Sequence, residues 1–158
     1  MWRMKKKVLI IIAIVLVLIL SVVAYFYIWG GKPKIENFEE VSNDYEIVAQ
    51  LALNTYTKLS PEDKYIIINI HNCDFKYDKS NLPLTEAQQN AVRIASEKFD
   101  YLRVCKDAVF FCEDETGYYG LVYSKHPIAA LYKAELLQQG REYHRINSRW
   151  YEWGVWGI

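Results

Sequence analysis

An uninterrupted apolar run near the start of the chain is the feature that most constrains what this sequence can form. From Val8 to Ile28 no side chain is charged, and Ser21 is the only conventionally polar one. At a helical rise of about 1.5 Å per residue, a run of this length reaches about 30 Å, the hydrocarbon thickness of a bilayer. Its last residues are aromatic, and Tyr and Trp favour the headgroup region. We therefore predict a transmembrane anchor over residues 8–29.

A cleavable leader is the alternative for the same segment. Such leaders have a shorter apolar core of roughly 7–15 residues, followed by small residues at the cleavage site. Val22 and Ala24 would supply that site, and the mature chain would then begin at Tyr25. The apolar run continues past this point to Trp29, which favours the retained anchor.

The basic residues around the run predict its orientation. Four of them lie before the span and only two follow it closely: Arg3, Lys5, Lys6 and Lys7, then Lys32 and Lys34. Because excess Lys and Arg stays cytoplasmic, we expect residues 1–7 inside and the C-terminal part outside. The prediction is a single-pass protein of the cell membrane that contacts lipid through residues 8–29.

Charge and length describe the part beyond the span. Four of the nineteen Lys and Arg precede the span, so fifteen remain against all nineteen Asp and Glu, a net charge of about −4. Nucleic acid is a poor partner for such a domain, because binding phosphate needs a basic face. The 129 residues after the span are enough for one domain with a single core. We predict a juxtamembrane linker over 30–42 and an extracytoplasmic domain over 43–158.

The first half of this domain has a helix pattern followed by a strand pattern. Asn43 and Glu46 have the form of a capping box. Apolar residues then recur at three- and four-residue steps, which predicts an amphipathic helix that ends before Pro61. The short β-branched run over 65–70 predicts a buried strand.

A second helix and then two or three strands are predicted next. Thr85 with Gln88 three residues later has the form of a capping box, and apolar residues follow at helical spacing. The stretch 102–124 predicts two strands around a turn at 115–117, where a glycine can take the positive φ that tight turns often need.

The end of the chain predicts a third helix and a hairpin. Pro127 and Gly140 bracket an apolar run in the positions that proline and glycine favour at helix ends. The final stretch predicts two strands that turn near residues 147–148. Because runs of adjacent strands favour antiparallel pairing, the predicted fold class is α+β, a small two-layer domain with a mainly antiparallel sheet and helices against one face.

His71 and Cys73 directly follow the first predicted strand, and the end of a strand is a common place for site residues. An imidazole beside a thiol would favour a thiolate nucleophile. Against this, no third group to orient the histidine is evident, and no glycine-rich turn lies beside Cys73 to form an oxyanion hole. We predict no catalytic residue. A small membrane-tethered enzyme that uses Cys73 with a histidine is the alternative.

The sequence predicts neither a metal site nor a cofactor. His71, Cys73 and Asp74 offer possible ligands, but their spacing fits no familiar zinc motif, and no phosphate- or dinucleotide-binding glycine motif occurs. The three cysteines are interpreted as ordinary buried thiols. The expected outside location permits a disulfide between Cys105 and Cys112, and the sequence leaves that pairing open.

The aromatic C-terminal tail is the predicted binding site. Its candidate residues are Tyr143, Arg145, Trp150, Trp153 and Trp156. Successive side chains of a strand point to opposite faces, so aromatic residues line both faces of this one. One face fills the core, and the other is exposed unless another element covers it. Exposed Trp and Tyr beside Arg have the composition of a protein-binding hot spot and also suit sugar rings or a membrane surface. The alternative is that both faces are core.

These observations favour a non-catalytic interaction domain on a membrane tether, with an immunity-like or accessory role. The expected partner is a protein at or outside the membrane, or a component of the cell envelope. Besides the enzyme, a structural subunit of a membrane complex is an alternative, in which the span itself makes the specific contact. The layout is similar in kind to that of many small membrane-anchored bacterial proteins.

Overall fold

The computed structural model of the chain describes residues 14–21, 35, 37–113, 119–133 and 141–154. The chain divides into two compact units, Met1–Lys34 and Ile35–Ile158. In the first unit, residues 14–21 are helical and their side chains are exposed. Among the described residues, no helix combines the length and the apolar character needed to cross a membrane. Most of the predicted span, including the possible cleavage point at Ala24, lies outside the described residues.

The second unit contains helices and strands, and the predicted α+β class is confirmed. Its described helices are α1 (Phe38–Leu59), α2 (Glu86–Ser96) and α3 (Ile128–Lys133). Its described strands are β1 (Ile66–Asn69), β2 (Lys76–Tyr77), β3 (Ser80–Asn81), β4 (Tyr101–Cys105), β5 (Ala108–Cys112), β6 (Tyr119–Ser124), β7 (Glu142–Arg145) and β8 (Trp150–Gly154). A 3₁₀ turn, His71–Cys73, follows β1.

The eight strands form one antiparallel sheet in the order β3-β2-β1-β4-β5-β6-β8-β7, which confirms the predicted pairing. Of the two or three strands predicted after α2, the structure has three: β4, β5 and β6. Lys106 and Asp107 make a tight turn between β4 and β5. Neither residue is a glycine or a proline, so no strong turn signal marks this point in the sequence. The turn predicted at 115–117 lies outside the described residues. The terminal hairpin is confirmed, because β7 and β8 pair antiparallel. In its turn, Asn147 Oδ1 accepts hydrogen bonds from the backbone N–H groups of Arg149 and Trp150.

Helix α1 begins earlier than its sequence pattern predicts. Asn37 precedes it in a left-handed conformation, with φ of 61°, and Asn43 lies inside the helix, so the predicted capping box is wrong. The reason is tertiary packing: the Phe38 ring meets the Trp150 ring edge-on at 5.6 Å, which extends the buried stripe by more than one turn. The helix therefore includes the last part of the predicted linker. It ends at Leu59, as predicted.

Helix α2 has the capping box that its sequence predicts. The Thr85 hydroxyl accepts from the Gln88 backbone N–H at 3.3 Å, and the Gln88 side chain accepts from the Thr85 N–H at 2.9 Å. Two of the first unpaired N–H groups of the helix end are satisfied in this way. The helix then buries its small apolar stripe: Ala91, Val92 and Ala95.

Helices cover both faces of the sheet, and the prediction of helices against one face is wrong. We call the side packed by α1 and α2 the two-helix face. The opposite side, the α3 face, is defined by Cys105, Ala108, Phe110, Cys112, Val122, Tyr151 and Trp153. There Leu131 of α3 packs against the sheet. The reason is that β5, β6 and β8 are buried along their whole length, so both of their faces need cover. The predicted helix start is confirmed, since α3 begins at Ile128, directly after Pro127. Gly140 lies outside the described residues.

Strand β1 is buried on one face only. Ile66 and Ile68 point to the two-helix face and are buried, whereas Ile67 is 44% exposed on the other side. The predicted strand is confirmed, and its predicted full burial is wrong. The alternation leaves the β1 end of the sheet with an accessible surface.

Candidate functional site

The accessible side of β1 carries the largest exposed apolar groups described in the second unit besides Leu59. Tyr65 and Ile67 are 50% and 44% exposed, and Asn69 is exposed beside them. Their spacing of two residues places all three on one side of the extended chain. We call Tyr65, Ile67 and Asn69 the β1 patch. Contiguous exposed apolar groups are a feature of interaction sites, which makes the β1 patch a candidate contact surface.

Arg103 braces the aromatic end of the β1 patch. It lies opposite Ile67 in the register between β1 and β4. Its guanidinium carbon is 5.8 Å from the centre of the Tyr65 ring and 4.3 Å from that of the Phe110 ring. Both distances are within the range of cation–π attraction. The Tyr65 ring is therefore held against the sheet while half of its side chain faces solvent.

An open pocket of about 400 Å³ adjoins the other end of the patch. It is lined by Ile67, Asn69, His71, Asn72, Asp74, Lys76, Asp78 and Lys79. Its wall is built by tight turns, since Asn72, Asp78 and Lys79 all have positive φ. Asp78 and Lys79 form the two-residue turn between β2 and β3, where two positive φ values match the twist of the paired strands.

His71 is held in place at the rim of this pocket. Its Nδ1 is 2.7 Å from the Asp100 carboxylate, and its backbone N–H donates to Asn69 Oδ1 at 3.0 Å. A carboxylate on one ring nitrogen fixes the orientation of an imidazole and leaves the other nitrogen for a second partner. Asp100 is thus the orienting group that the sequence did not reveal. It lies 29 residues away, and the pairing of β1 with β4 brings it close.

Cys73 lies in the same 3₁₀ turn as His71, and its sulfur accepts from the Ser96 hydroxyl at 3.5 Å. Among the hydrogen bonds of the described residues, none joins Cys73 to His71. The described residues also contain no group of three or more His, Cys, Asp and Glu side chains arranged to hold a metal.

No protein-family model, curated protein or solved structure matches this chain. The geometry of its own residues is therefore the basis for any functional assignment. In that geometry, the β1 patch and its pocket combine a braced aromatic ring, an apolar floor and several polar groups on one surface. Convergent polar groups beside apolar surface are typical of binding sites.

The described tryptophans of the tail are core residues. Trp150 is 2% exposed on the two-helix face, where its ring centre lies 5.1 Å from that of Tyr123 and 5.6 Å from that of Phe111. Trp153 is 1% exposed on the α3 face, and its indole N–H donates to the Leu121 carbonyl at 3.2 Å. The two rings lie on opposite faces of the sheet.

The other predicted tail residues lie around them. Tyr143 is opposite Trp153 in the β7–β8 register and partly buried beside it. Arg145 is exposed, and its Nε donates to the Asn147 carbonyl at 2.9 Å. Trp156 lies outside the described residues. As a group, the described tail residues form no single exposed surface.

The cysteines differ in exposure. Cys105 and Cys112 are buried on the α3 face, and Cys73 is exposed, so the prediction of three buried thiols is correct for two. All three are free. Cys105 lies opposite Ala108 at one end of the β4–β5 hairpin, while Cys112 lies at the other. Burial raises the pKa of each buried thiol to about 11.

One residue of the tail places a buried carboxylate on the two-helix face. Glu152 is 3% exposed and accepts a hydrogen bond from the Tyr119 hydroxyl. Burial, and then the neighbouring Glu152, raise the pKa of Tyr119 far above its usual value, so this hydroxyl stays protonated and continues to donate. We assign the pair a structural role within the sheet.

A second pocket, of about 320 Å³, lies between the end of α1 and the start of α2. Leu59, which is 49% exposed, lines it together with Leu51, Leu82 and Pro83. This groove has a single basic side chain, Lys58, at its rim and no braced aromatic ring among its lining residues. It provides a matched comparison for the β1 patch.

Proposed function

We propose that this chain is a single-pass membrane protein with a non-catalytic binding domain outside the membrane, and that the β1 patch is its contact surface. The anchor and the orientation rest on the apolar run over 8–29 and on the basic residues before it. The observation that carries the binding role is the half-exposed, braced Tyr65 with Ile67 beside it.

The composition of this surface supports a binding role. Tyr and Arg are enriched among the residues that dominate binding energy, and the patch places Tyr65 directly over Arg103. Fully burying one large apolar side chain contributes about 1.5–3 kcal/mol. Covering the exposed halves of Tyr65 and Ile67 would therefore contribute roughly that amount in total.

The location of the patch within the domain also supports this role. The domain leaves the linker at the start of α1, and the β1 patch follows the far end of that helix. A helix of 22 residues is about 33 Å long. The β1 patch thus follows the end of α1 that lies farthest from the predicted linker. A tether raises the local concentration at the membrane, so modest affinity suffices.

The test uses the full-length chain on intact cells. Externally added protease should remove the C-terminal domain, and cross-linking from the membrane should capture a reproducible partner. The double variant Tyr65→Ala/Ile67→Ala should lose that capture while its folding is unchanged. Leu59→Ala, at a side chain of similar exposure in the other groove, should retain it. A protected domain would refute the outward orientation, and capture that survives the double variant would refute the β1 patch as the contact surface.

A second candidate function is favoured by one observation, the contact between His71 and Asp100. A histidine oriented by a carboxylate is the usual partner of a nucleophilic thiol, which keeps catalysis by Cys73 as an alternative. The rate of Cys73 alkylation near pH 7 tests it. A rate like that of a model thiol, unchanged in Asp100→Asn, would remove this candidate.

A further inference from the structure

We infer that the ligand of the β1 patch and its pocket is an uncharged carbohydrate chain of the cell envelope. This inference rests on the proposed binding function and specifies its partner. The sugar rings would lie along β1, with one ring on Tyr65, the next over Ile67 and a third in the pocket beyond Asn69.

The charges of the pocket favour a ligand without net charge. Lys76 and Lys79 are balanced by Asp74 and Asp78, and Lys76 forms an ion pair with Asp74. A strongly anionic ligand would meet the two aspartates, and a cationic one would meet the two lysines. Binding either would require desolvation of a like charge without compensation.

The polar groups of the pocket suit hydroxyl groups in particular. Asn69 and Asn72 each carry a donor and an acceptor in their amides, the aspartates accept, and the lysines donate. A sugar hydroxyl both donates and accepts, so a ring edge with several hydroxyls can satisfy such a mixed set. A site with donors alone would instead favour phosphate or carboxylate.

The aromatic end of the β1 patch suits the apolar face of a sugar ring. The C–H groups of a pyranose lie on one side of the ring and pack on aromatic surfaces. Side chains two residues apart in an extended chain repeat every 6.6 Å or so, so Tyr65, just before β1, and Asn69, at its end, are separated by about 13 Å. This distance gives the patch an elongated shape, which matches an oligosaccharide better than a single small molecule.

The side chains that would contact the sugar are fixed before it binds. The guanidinium of Arg103 packs on the Tyr65 ring, and the Asp100 carboxylate orients His71. The backbone N–H of His71 donates to Asn69 Oδ1 and fixes that side chain. Prior ordering reduces the entropic cost of binding.

The test measures binding of neutral glycans to the full-length chain in detergent micelles by calorimetry. The probes are linear tetrasaccharides of glucose and of N-acetylglucosamine, with heparin as a charged comparison. We expect at least one neutral tetrasaccharide to bind. Tyr65→Ala should weaken that binding about tenfold or more, equivalent to about 1.4 kcal/mol, and Asn69→Ala should weaken it severalfold.

Two variants serve as matched controls. Tyr65→Phe keeps the ring and should keep most of the affinity, whereas loss in this variant would contradict stacking. Leu59→Ala should bind like the unaltered chain. Loss of glycan binding in Leu59→Ala, with binding retained in Tyr65→Ala, would assign the sugar to the groove between α1 and α2 and overturn the inference.

Failure of this inference is distinguishable from failure of the proposed function. If neither neutral glycan binds, or heparin binds more tightly than both, the assignment of an uncharged carbohydrate is wrong. Cross-linking on intact cells that still depends on Tyr65 and Ile67 would then leave the binding function standing with a different partner. Absence of both glycan binding and such cross-linking would refute the two together.

Discussion

The carboxylate of Glu46 lies 2.8 Å from Nη1 of Arg149, and this contact joins the first half of α1 to the turn between β7 and β8. The same guanidinium is 3.4 Å from the Tyr123 hydroxyl, which also accepts from the Gln50 amide at 2.8 Å. The neighbouring Tyr123 and then Glu46 raise the pKa of Arg149. Glu46 thus connects two distant segments rather than capping the helix that contains it.

The first prediction separates these two roles. Asn43→Ala should leave the free energy of unfolding unchanged or raise it by about 0.5 kcal/mol, because Asn43 is an exposed position inside α1 and alanine favours helices. If Asn43 were the N-cap, the same change would cost about 1 kcal/mol. Urea denaturation measures the difference.

Glu46→Gln complements that test. We expect a small loss of stability, since both partners of the ion pair are substantially exposed. The difference between the variant and the unaltered chain should shrink in about 1 M salt, where the screening length falls to about 3 Å. A loss that is large and independent of salt would contradict the description of Glu46 as an exposed ion-pair partner.

A second prediction contrasts core and surface aromatic residues. Trp150→Ala should cost about 3–5 kcal/mol, because its ring packs against Phe38, Phe111 and Tyr123 in the core. Tyr65→Ala should change stability by only about 0.5 kcal/mol. Thermal or urea unfolding provides both numbers. Equal stability losses in the two variants would contradict the placement of Tyr65 at the surface.

The third prediction concerns Gly120. A Cβ atom at this position would lie 2.0 Å from the Phe111 carbonyl oxygen and 2.7 Å from the Trp153 indole nitrogen. Gly120→Ala should therefore destabilise the domain by about 3 kcal/mol or more, since neither the backbone nor the buried indole can move freely. Adding Trp153→Phe relieves only the indole contact, so the double variant should lose less stability than the two single losses combined. Full additivity would contradict the close approach of Gly120 and Trp153.

The fourth prediction uses the cysteines. In the native chain near pH 8, a thiol reagent should modify Cys73 and leave Cys105 and Cys112 unreacted until denaturant is added. Burial holds the pKa of the two inner thiols at about 11, so few thiolates form at that pH. Cys73→Ser should abolish the native reaction. Rapid modification of the Cys73→Ser variant would show that the inner thiols are accessible.

The same shift predicts how stability depends on pH. The unfolded thiols ionise near their ordinary value of 9.0, whereas the folded ones keep their protons up to about 11. The folded state therefore binds more protons in this interval, and stability should fall as pH rises from about 9 to 11. Urea midpoints measured across this range test it. In Cys105→Ala/Cys112→Ala, the fall should be shallower.

Local sequence signals predicted some of these features and failed for others that look alike. The Thr85 and Gln88 pair was predicted correctly, because both partners lie within one helical turn and nothing distant competes. The Asn43 and Glu46 pair has the same spacing, yet packing of Phe38 on Trp150 extends the helix past it. Spacing alone contains no information about that competing contact.

The candidate site was largely hidden from sequence for the same reason. His71 was identified, but Asp100 became its partner only when β1 and β4 paired. Tyr65 stands at the start of an isoleucine-rich run, and that pattern does not show which face of the strand is covered by other elements. The aromatic composition of the tail predicted a binding surface there, whereas packing on the two faces of the sheet buries Trp150 and Trp153.

By itself, the sequence determined the α+β class, the antiparallel pairing and most of the helix and strand positions, because these depend on periodicity, capping and turn residues within a few positions. It also contains the apolar run on which the proposed anchor rests. Only the tertiary structure decided which strand faces are covered, and hence that Tyr65, just before β1, is half exposed while Trp150 and Trp153 of the tail are buried. Coverage depends on where α3 lies over the sheet, and that contact joins residues far apart in the chain.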